Sequence, residues 1–253
     1  MSAYLLPVLF TIFVWWFSTG AILWLGRLPR ASFRWTFLGS TVVLVLALIG
    51  LSFSAAQTTV ASAYCAFTCA VLVWGWQEIA FLLGYVTGAR RSVCSPDSRG
   101  WRRALHAAEA ILHHELALVV LALLVFAASW NQPNQTGWWT YLVLWSMRLS
   151  AKLNLFLGVR NLSENFLPPH LAYLQSYFTR RAWNWLMPVS LLAASSVALP
   201  LWLAVPEQPA DGFAATSLSL VAGLLTLAVI EHLFMVVPLP TGWLWKWGLR
   251  AKA

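Results

Sequence analysis

The sequence predicts an all-α polytopic membrane helical bundle of about seven transmembrane helices, and three observations carry that prediction. The chain is 60% hydrophobic and only 9% charged over 253 residues, with a mean hydropathy of +0.71, whereas a soluble domain carries about 25% charged residues. Its apolar residues gather into runs near the ~20 residues that span a bilayer core of ~30 Å. Its basic residues are absent from every second loop. The length suits one bundle with no room for a second, so residues 1–253 read as a single integral membrane domain.

Taken in order, the apolar segments run at about 4–25, 36–54, 60–86, 105–130, 138–159, 184–204 and 213–238. No basic residue precedes the first, which therefore reads as a retained helix and not as a cleaved signal. The second is short. The third holds Cys65 and Cys69 one turn apart, which together with Cys94 make an odd count, so packing and not a disulfide framework is expected. The fourth opens on LHAAEAILHHE, residues 105–115, with three of the chain's five histidines. The fifth is interrupted by Arg148 and Lys152. The stretch 167–188 alternates apolar and polar residues and suits an amphipathic helix on the cytoplasmic face, leading into the sixth segment. The 17 Trp are expected mainly as interface anchors, where an apolar ring also finds a partner for its N–H.

Topology follows from the loops. Arg27, Arg30 and Arg34 follow the first segment; Arg90, Arg91, Arg99, Arg102 and Arg103 follow the third. Arg148, Lys152, Arg160, Arg180 and Arg181 belong to the fifth and its loop, and Lys246, Arg250 and Lys252 to the tail. These are all 16 basic residues, and loops 55–59, 131–137 and 205–212 hold none. The positive-inside rule then sets the N-terminus outside and the C-terminus in the cytoplasm, with cytoplasmic loops at about 87–104 and 160–183. The net charge of +8 is a topology and anionic-lipid signal. No nucleic-acid partner is implied, because no basic surface lies outside the boundary zone.

The acids are distributed differently. Asp97 lies in an inner loop, Glu207 and Asp211 in an outer one, while Glu78 and Glu231 sit inside apolar segments, beside Gln77 and His232. A carboxylate in lipid must be paired, protonated or metal-bound. Glu78 and Glu231 each lie 18 residues into their segments and His113 lies 17 from the end of its own. At 1.5 Å per residue all three reach a layer about 26–27 Å from the outer surface. His106, Glu109 and His113 share a helical face, with His114 about a quarter turn away. Carboxylates and imidazoles on several helices suit iron or manganese, so Glu78, Glu109, His113, Glu231 and His232 form a candidate metal set. The plainer alternative is an interfacial hydrogen-bonded belt joined to Arg148 and the basic loops. Arg148 lies ten residues into its segment, too deep to reach headgroups easily, and is expected to pair with Glu78 or Glu231. Ser150, Asn154 and Asn161 form a second polar stripe on the same segment, and His170 follows Pro168-Pro169. His106, His114, His170, Arg148 and Asn154 are the candidates for binding an organic cofactor.

The stretches WGWQE (74–78), HHELAL (113–118), LWSMRLSAKLNLFLGVRN (144–161) and FLPPHLAYLQSYF (166–178) resemble the PuhE family, photosynthetic complex assembly protein 2 of purple phototrophic bacteria. The resemblance covers about residues 60–240 and is most specific in the fifth segment. It implies a role in assembling the reaction centre and light-harvesting apparatus, or in supplying bacteriochlorophyll to it, in a bacterial inner (cytoplasmic or intracytoplasmic photosynthetic) membrane where the outside N-terminus is periplasmic, and carries no catalytic residue with it.

Two mechanisms stay open at the level of sequence. One is an assembly factor holding nascent subunits or a tetrapyrrole in the bilayer, with His side chains on its metal. The other is a membrane di-metal oxidoreductase, of di-iron type, acting on a pigment precursor or quinone. The three-residue Glu–His spacing usual in di-iron bundles is absent. No Ser–His–Asp set, phosphate-binding loop, dinucleotide fingerprint or CxxC pair occurs, which disfavours hydrolase, nucleotide-driven and thiol-redox chemistry.

Overall fold

The computed structural model describes residues 2–210, 212–237 and 241–249. Asp211, Arg250 and Lys252, counted above for the outer loop and the tail, lie outside them. The chain is all-helical: α1 (Ser2–Leu25), α2 (Phe33–Ala55), α3 (Val60–Leu82), α4 (Gly100–Ser129), α5 (Thr136–Leu157), α6 (Leu186–Ala204), α7 (Phe213–Phe234) and a short α8 (Lys246–Leu249). Six of these, all but α5 and α8, are long and apolar enough to cross a membrane. The chain is thus a multi-pass membrane protein by the length and composition of its helices.

Helix α3 is the centre of the bundle. It packs against α1, α2, α4, α5 and α7, and its Ala63, Ala66, Phe67, Ala70 and Val73 are fully buried. Small residues at this spacing let neighbouring helices approach closely, which is how helices associate when lipid is as apolar as they are. Its start is fixed by a capping box, in which Ser62 N–H donates to Thr59 Oγ1 and Thr59 N–H to Ser62 Oγ. Its end comes four residues before the expected 86. Gly84, at φ +83°, reverses the chain, with Gly84 N–H donating to the Phe81 carbonyl and Tyr85 N–H to the Ala80 carbonyl. This is a Schellman stop, which glycine adopts without a Cβ penalty. The chain after it folds back onto α4: His114 N–H donates to the Thr87 carbonyl at 2.8 Å, and a Cβ on Gly88 would collide with the backbone of Glu109 and Ala110.

Around Asn134 the ends of α2, α3 and α5 are tied together. Its Nδ2 donates to the carbonyls of Ser54 (2.9 Å) and Ser62 (3.1 Å), and its Oδ1 accepts from Thr136 N–H (3.0 Å). Exposed Trp residues lie at helix ends as expected of interface anchors: Trp24, Trp35, Trp101, Trp130, Trp139 and Trp185. Trp74 and Trp245 are instead buried in the packing.

The segment after α5 corrects one expectation. Residues 167–188 do not form an amphipathic α-helix leading into α6. Pro169–Tyr177 is a nine-residue 3-10 helix, and the chain then runs irregularly to Trp185. Its buried residues are Leu171, Leu174 and Tyr177. That spacing of three matches the three residues per turn of a 3-10 helix, and so a single apolar row faces inward. Arg103 holds the segment to α4, its Nη2 donating to the Tyr177 carbonyl (2.7 Å) and to Thr179 Oγ1 (2.8 Å), with its guanidinium 4.5 Å from the centre of the Phe156 ring.

Candidate functional site

A cavity of about 290 Å³ lies between α1, α3, α5 and α7, closed at one end by residues 161–167 and Trp245. Its walls are apolar, contributed by Phe67, Val71, Leu144, Met147, Leu155 and Leu224 among others. Its charged and titratable groups are Glu78, Arg148, Glu231 and His232, and Ser18, Thr19, Asn161 and Ser163 also line it. Arg148 Nη2 lies 3.1 Å from Glu78 Oε2, the ion pair expected from depth alone. The pair is lopsided: the Glu78 side chain is 10% exposed and that of Arg148 48%. Most of the guanidinium's five N–H donors therefore have no protein acceptor. Glu78 Oε1 is buried without any hydrogen-bond partner. Glu231 accepts from Trp15 Nε1 at 2.9 Å and is otherwise open to the cavity. Glu78 and Glu231 stand four and three residues before the ends of α3 and α7, so helix length fixes them at similar depth.

His232 is buried at the cavity's edge. Its Nδ1 lies 2.9 Å from the Ala228 carbonyl, which can only accept, so Nδ1 carries the proton. Its Nε2 faces Ser150 Oγ at 3.0 Å. Ser150 Oγ is also 2.9 Å from Ser190 Oγ, to which Asn154 Nδ2 donates at 3.2 Å. The polar stripe of α5 thus binds α5 to α6 and α7 through a buried network. Asn161, the last of that stripe, donates to the Phe234 carbonyl at the end of α7 (2.8 Å).

The candidate metal set is divided by the structure. Glu78, Glu231 and His232 line the cavity. Glu109 instead pairs with Arg90 at 3.4 Å with its side chain half exposed, and His113 is exposed. The face of α4 carrying His106, Glu109 and His113 turns outward. The inward row is Ala110, His114, Leu118, Leu121, Ala122, Val125 and Ser129. Among the described residues no three His, Cys, Asp or Glu side chains gather closely enough to hold a metal ion, so a centre shared by all five residues is not assembled.

The candidate cofactor ligands also have protein partners. His114 Nδ1 is 2.9 Å from Gln77 Nε2, which also donates to the His114 carbonyl at 3.1 Å; both amide protons are then used and Nδ1 accepts. His170 Nε2 donates to the Leu82 carbonyl at 2.9 Å. Burial pushes the His170 imidazole below its usual range; the Leu82 bond opposes this and the charge of Arg30 adds to it. His106 Nδ1 lies 3.0 Å from Ser98 Oγ. Asn154 belongs to the network above, with Oδ1 buried and unpartnered. Of the five cofactor candidates, only Arg148 reaches the cavity.

Sequence reasoning missed Trp15 and Glu115. Lys152, the second cation of the fifth segment, is paired as well: its Nζ lies 2.6 Å from Glu115 Oε1. The depth argument that paired Arg148 would have found this partner too, because Lys152 lies one turn further along the same helix. Trp15 carried no signal among 17 tryptophans.

No solved structure matches the chain. It is 41% identical over 249 residues to a protein of Rhodobacter capsulatus described as an uncharacterized 30.4 kDa protein in the puhA 5′ region, the match covering 96% of this chain and 90% of that one. A family model, that of a protein of unknown function designated DUF3623, matches residues 1–253. The match over the full chain shows that it belongs to the DUF3623 family.

Proposed function

We propose that this protein is a PuhE-type photosynthetic complex assembly factor of a purple phototrophic bacterium, binding a lipid-soluble pigment or pigment precursor while the reaction centre or light-harvesting complex is built. The observation that carries this reading is the cavity. It is walled largely by apolar side chains, lies between α5 and three helices long and apolar enough to cross a membrane, and offers one half-open guanidinium beside two carboxylates. Such a site suits an amphiphile with an apolar body and one polar end. At about 290 Å³ it stands near the lower bound of small-molecule pockets, roughly 300–1,000 Å³. That size favours a tail or a single ring system over a whole tetrapyrrole enclosed. The photosynthetic setting is supported by the relative's position in the puhA 5′ region and by the four resembling stretches. A di-metal oxidoreductase gains nothing from this geometry, since its ligand set is split between the cavity and the outward face of α4.

The same proposal includes seven crossings with a periplasmic N-terminus. Helix α5 falls short on hydropathy, but Arg148 and Lys152 are both matched within the protein by Glu78 and Glu115, which lowers the cost of burying them in lipid. Tags at the two ends, digested in intact spheroplasts, test the orientation; a protected N-terminal tag overturns it.

The functional test is deletion of the gene in a phototrophic host, read as the absorption of assembled pigment–protein complexes. Loss of assembled complex, restored by the wild-type gene but not by Glu78→Gln at equal membrane accumulation, is the expected result. Normal complexes after deletion would overturn the reading.

A further inference from the structure

We propose that a second cleft, on the arginine-rich face, binds the phosphate of an anionic lipid headgroup. This cleft, of about 450 Å³, lies between the start of α2, the turn after α3 and the 3-10 helix Pro169–Tyr177, and is lined by Arg30, Thr87, Arg91, His170 and Tyr173. It is separate from the central cavity, shares no lining residue with it, and does not depend on the assembly function.

Three independent features point to an anion. First, Arg30 and Arg91 are exposed and make no ion pair among the described residues; the four pairs present use Arg90, Arg148, Lys152 and Arg180. Two unmatched guanidiniums beside one cleft repel each other until an anion lies between them. Second, Thr87 is 1% exposed and its hydroxyl has no partner, and the Tyr173 hydroxyl is likewise buried and unpartnered. Buried polar groups are nearly always hydrogen-bonded. Two orphan hydroxyls lining one cleft therefore mark a missing acceptor, and a phosphate oxygen is one that both could donate to. Third, the 3-10 turn Arg30–Ser32 runs directly into α2, and this helical run starts at the cleft with Arg30 after Pro29, which supplies no side-chain cap. An uncapped helix start carries partial positive charge.

The surroundings favour a lipid over free phosphate. Trp35 and Tyr85 are exposed at the cleft's end of α2 and α3, and Leu38, Val42 and Leu46 continue an exposed apolar lane along α2. A headgroup in the cleft could lay its acyl chains on that lane. Aromatic residues at such a rim mark the headgroup level of the bilayer.

The full chain, stripped in detergent and re-exposed to phosphatidylglycerol or phosphatidylcholine, is to be examined by native mass spectrometry. The wild type is expected to retain phosphatidylglycerol under conditions that remove phosphatidylcholine. Arg30→Gln/Arg91→Gln should retain about tenfold less or lower still, since each basic residue at an anionic headgroup contributes appreciably. Thr87→Val keeps the volume and both arginines and should also weaken retention, which guards against a folding defect in the double variant. Equal retention of both lipids, or undiminished retention by the double variant, overturns the proposal. Displacement of the lipid by millimolar inorganic phosphate alone would reassign the cleft to a soluble phosphate and overturn the lipid assignment.

Discussion

Two polar clusters sit towards opposite ends of α3 and α5, and they are built on opposite principles. Around Asn134 the side-chain amide uses both N–H donors and its oxygen, and each partner lies near the end of a helix. Around Glu78 one carboxylate oxygen has no partner, Arg148 is half open, and Glu231 has only Trp15. The first cluster is closed and has no capacity left to bind anything. The second leaves donors and acceptors unused at a depth where unused groups are expensive. The contrast separates a joint from a binding site by hydrogen-bond accounting, although both are equally polar in sequence.

The largest effect is expected at the joint. Asn134→Ala removes three hydrogen bonds and takes the acceptor from the Thr136 N–H; at about 1 kcal/mol for each bond, it should destabilise by about 3 kcal/mol. Thermal unfolding in detergent measures this. The protein that does fold should bind cavity ligands normally, and a ligand-specific defect would break the comparison.

Arg148→Met should be milder in stability and more severe in function. Removing one partner of a fully buried pair costs about 3–5 kcal/mol. Arg148 is half exposed, so about 1–3 kcal/mol is expected here. Membrane accumulation near wild type with failed complementation is the expected outcome. Full complementation would show that the cavity's cation is only structural.

Glu231→Gln keeps the volume and can still accept from Trp15, so its stability change should stay below about 1 kcal/mol. Its expected defect is confined to complementation, which sharpens the comparison by separating charge from packing.

The smallest effect concerns pH. The joint around Asn134 has no titratable side chain, so pH sensitivity in the mildly acidic range should come from the other end, where His170 lies. Its folded-state pKa is depressed by burial, so the unfolded chain binds the proton more readily. Stability is then complete above the unfolded value of about 6.5 and falls as pH drops through it towards the lower folded value. The midpoint of unfolding should fall by a few degrees at most between mildly alkaline and mildly acidic buffer. His170→Gln should flatten that slope, and an unchanged slope would remove His170 as its source.

These clusters also show what could be read in advance. Depth was legible. Glu78 and Glu231 were expected at one level because a helix rises by a fixed ~1.5 Å per residue, and both line the cavity; Arg148, too deep to reach headgroups, was expected to pair with one of them, and its ion pair with Glu78 is present. Direction was not. His113 and His114 are adjacent, yet the first is exposed and the second buried against Gln77. The earlier grouping of Glu109 with His113 was correct as a helical face and wrong about which way that face turns. The 3-10 segment was missed because its row of Leu171, Leu174 and Tyr177 is too short to separate a period of 3.0 from one of 3.6.

What the sequence determined by itself is the set of long helices and the membrane character of six of them, because hydropathy is a local sum that any ~20-residue window already contains. What only the tertiary structure decided is which side of each helix faces the protein. In water an apolar stripe announces the buried face. In lipid the outward face is as apolar as the inward one, so the pattern goes silent. Only the packing of α1, α5 and α7 around α3 decided that Glu78, Arg148 and Glu231 would share a cavity while Glu109 turned away to Arg90.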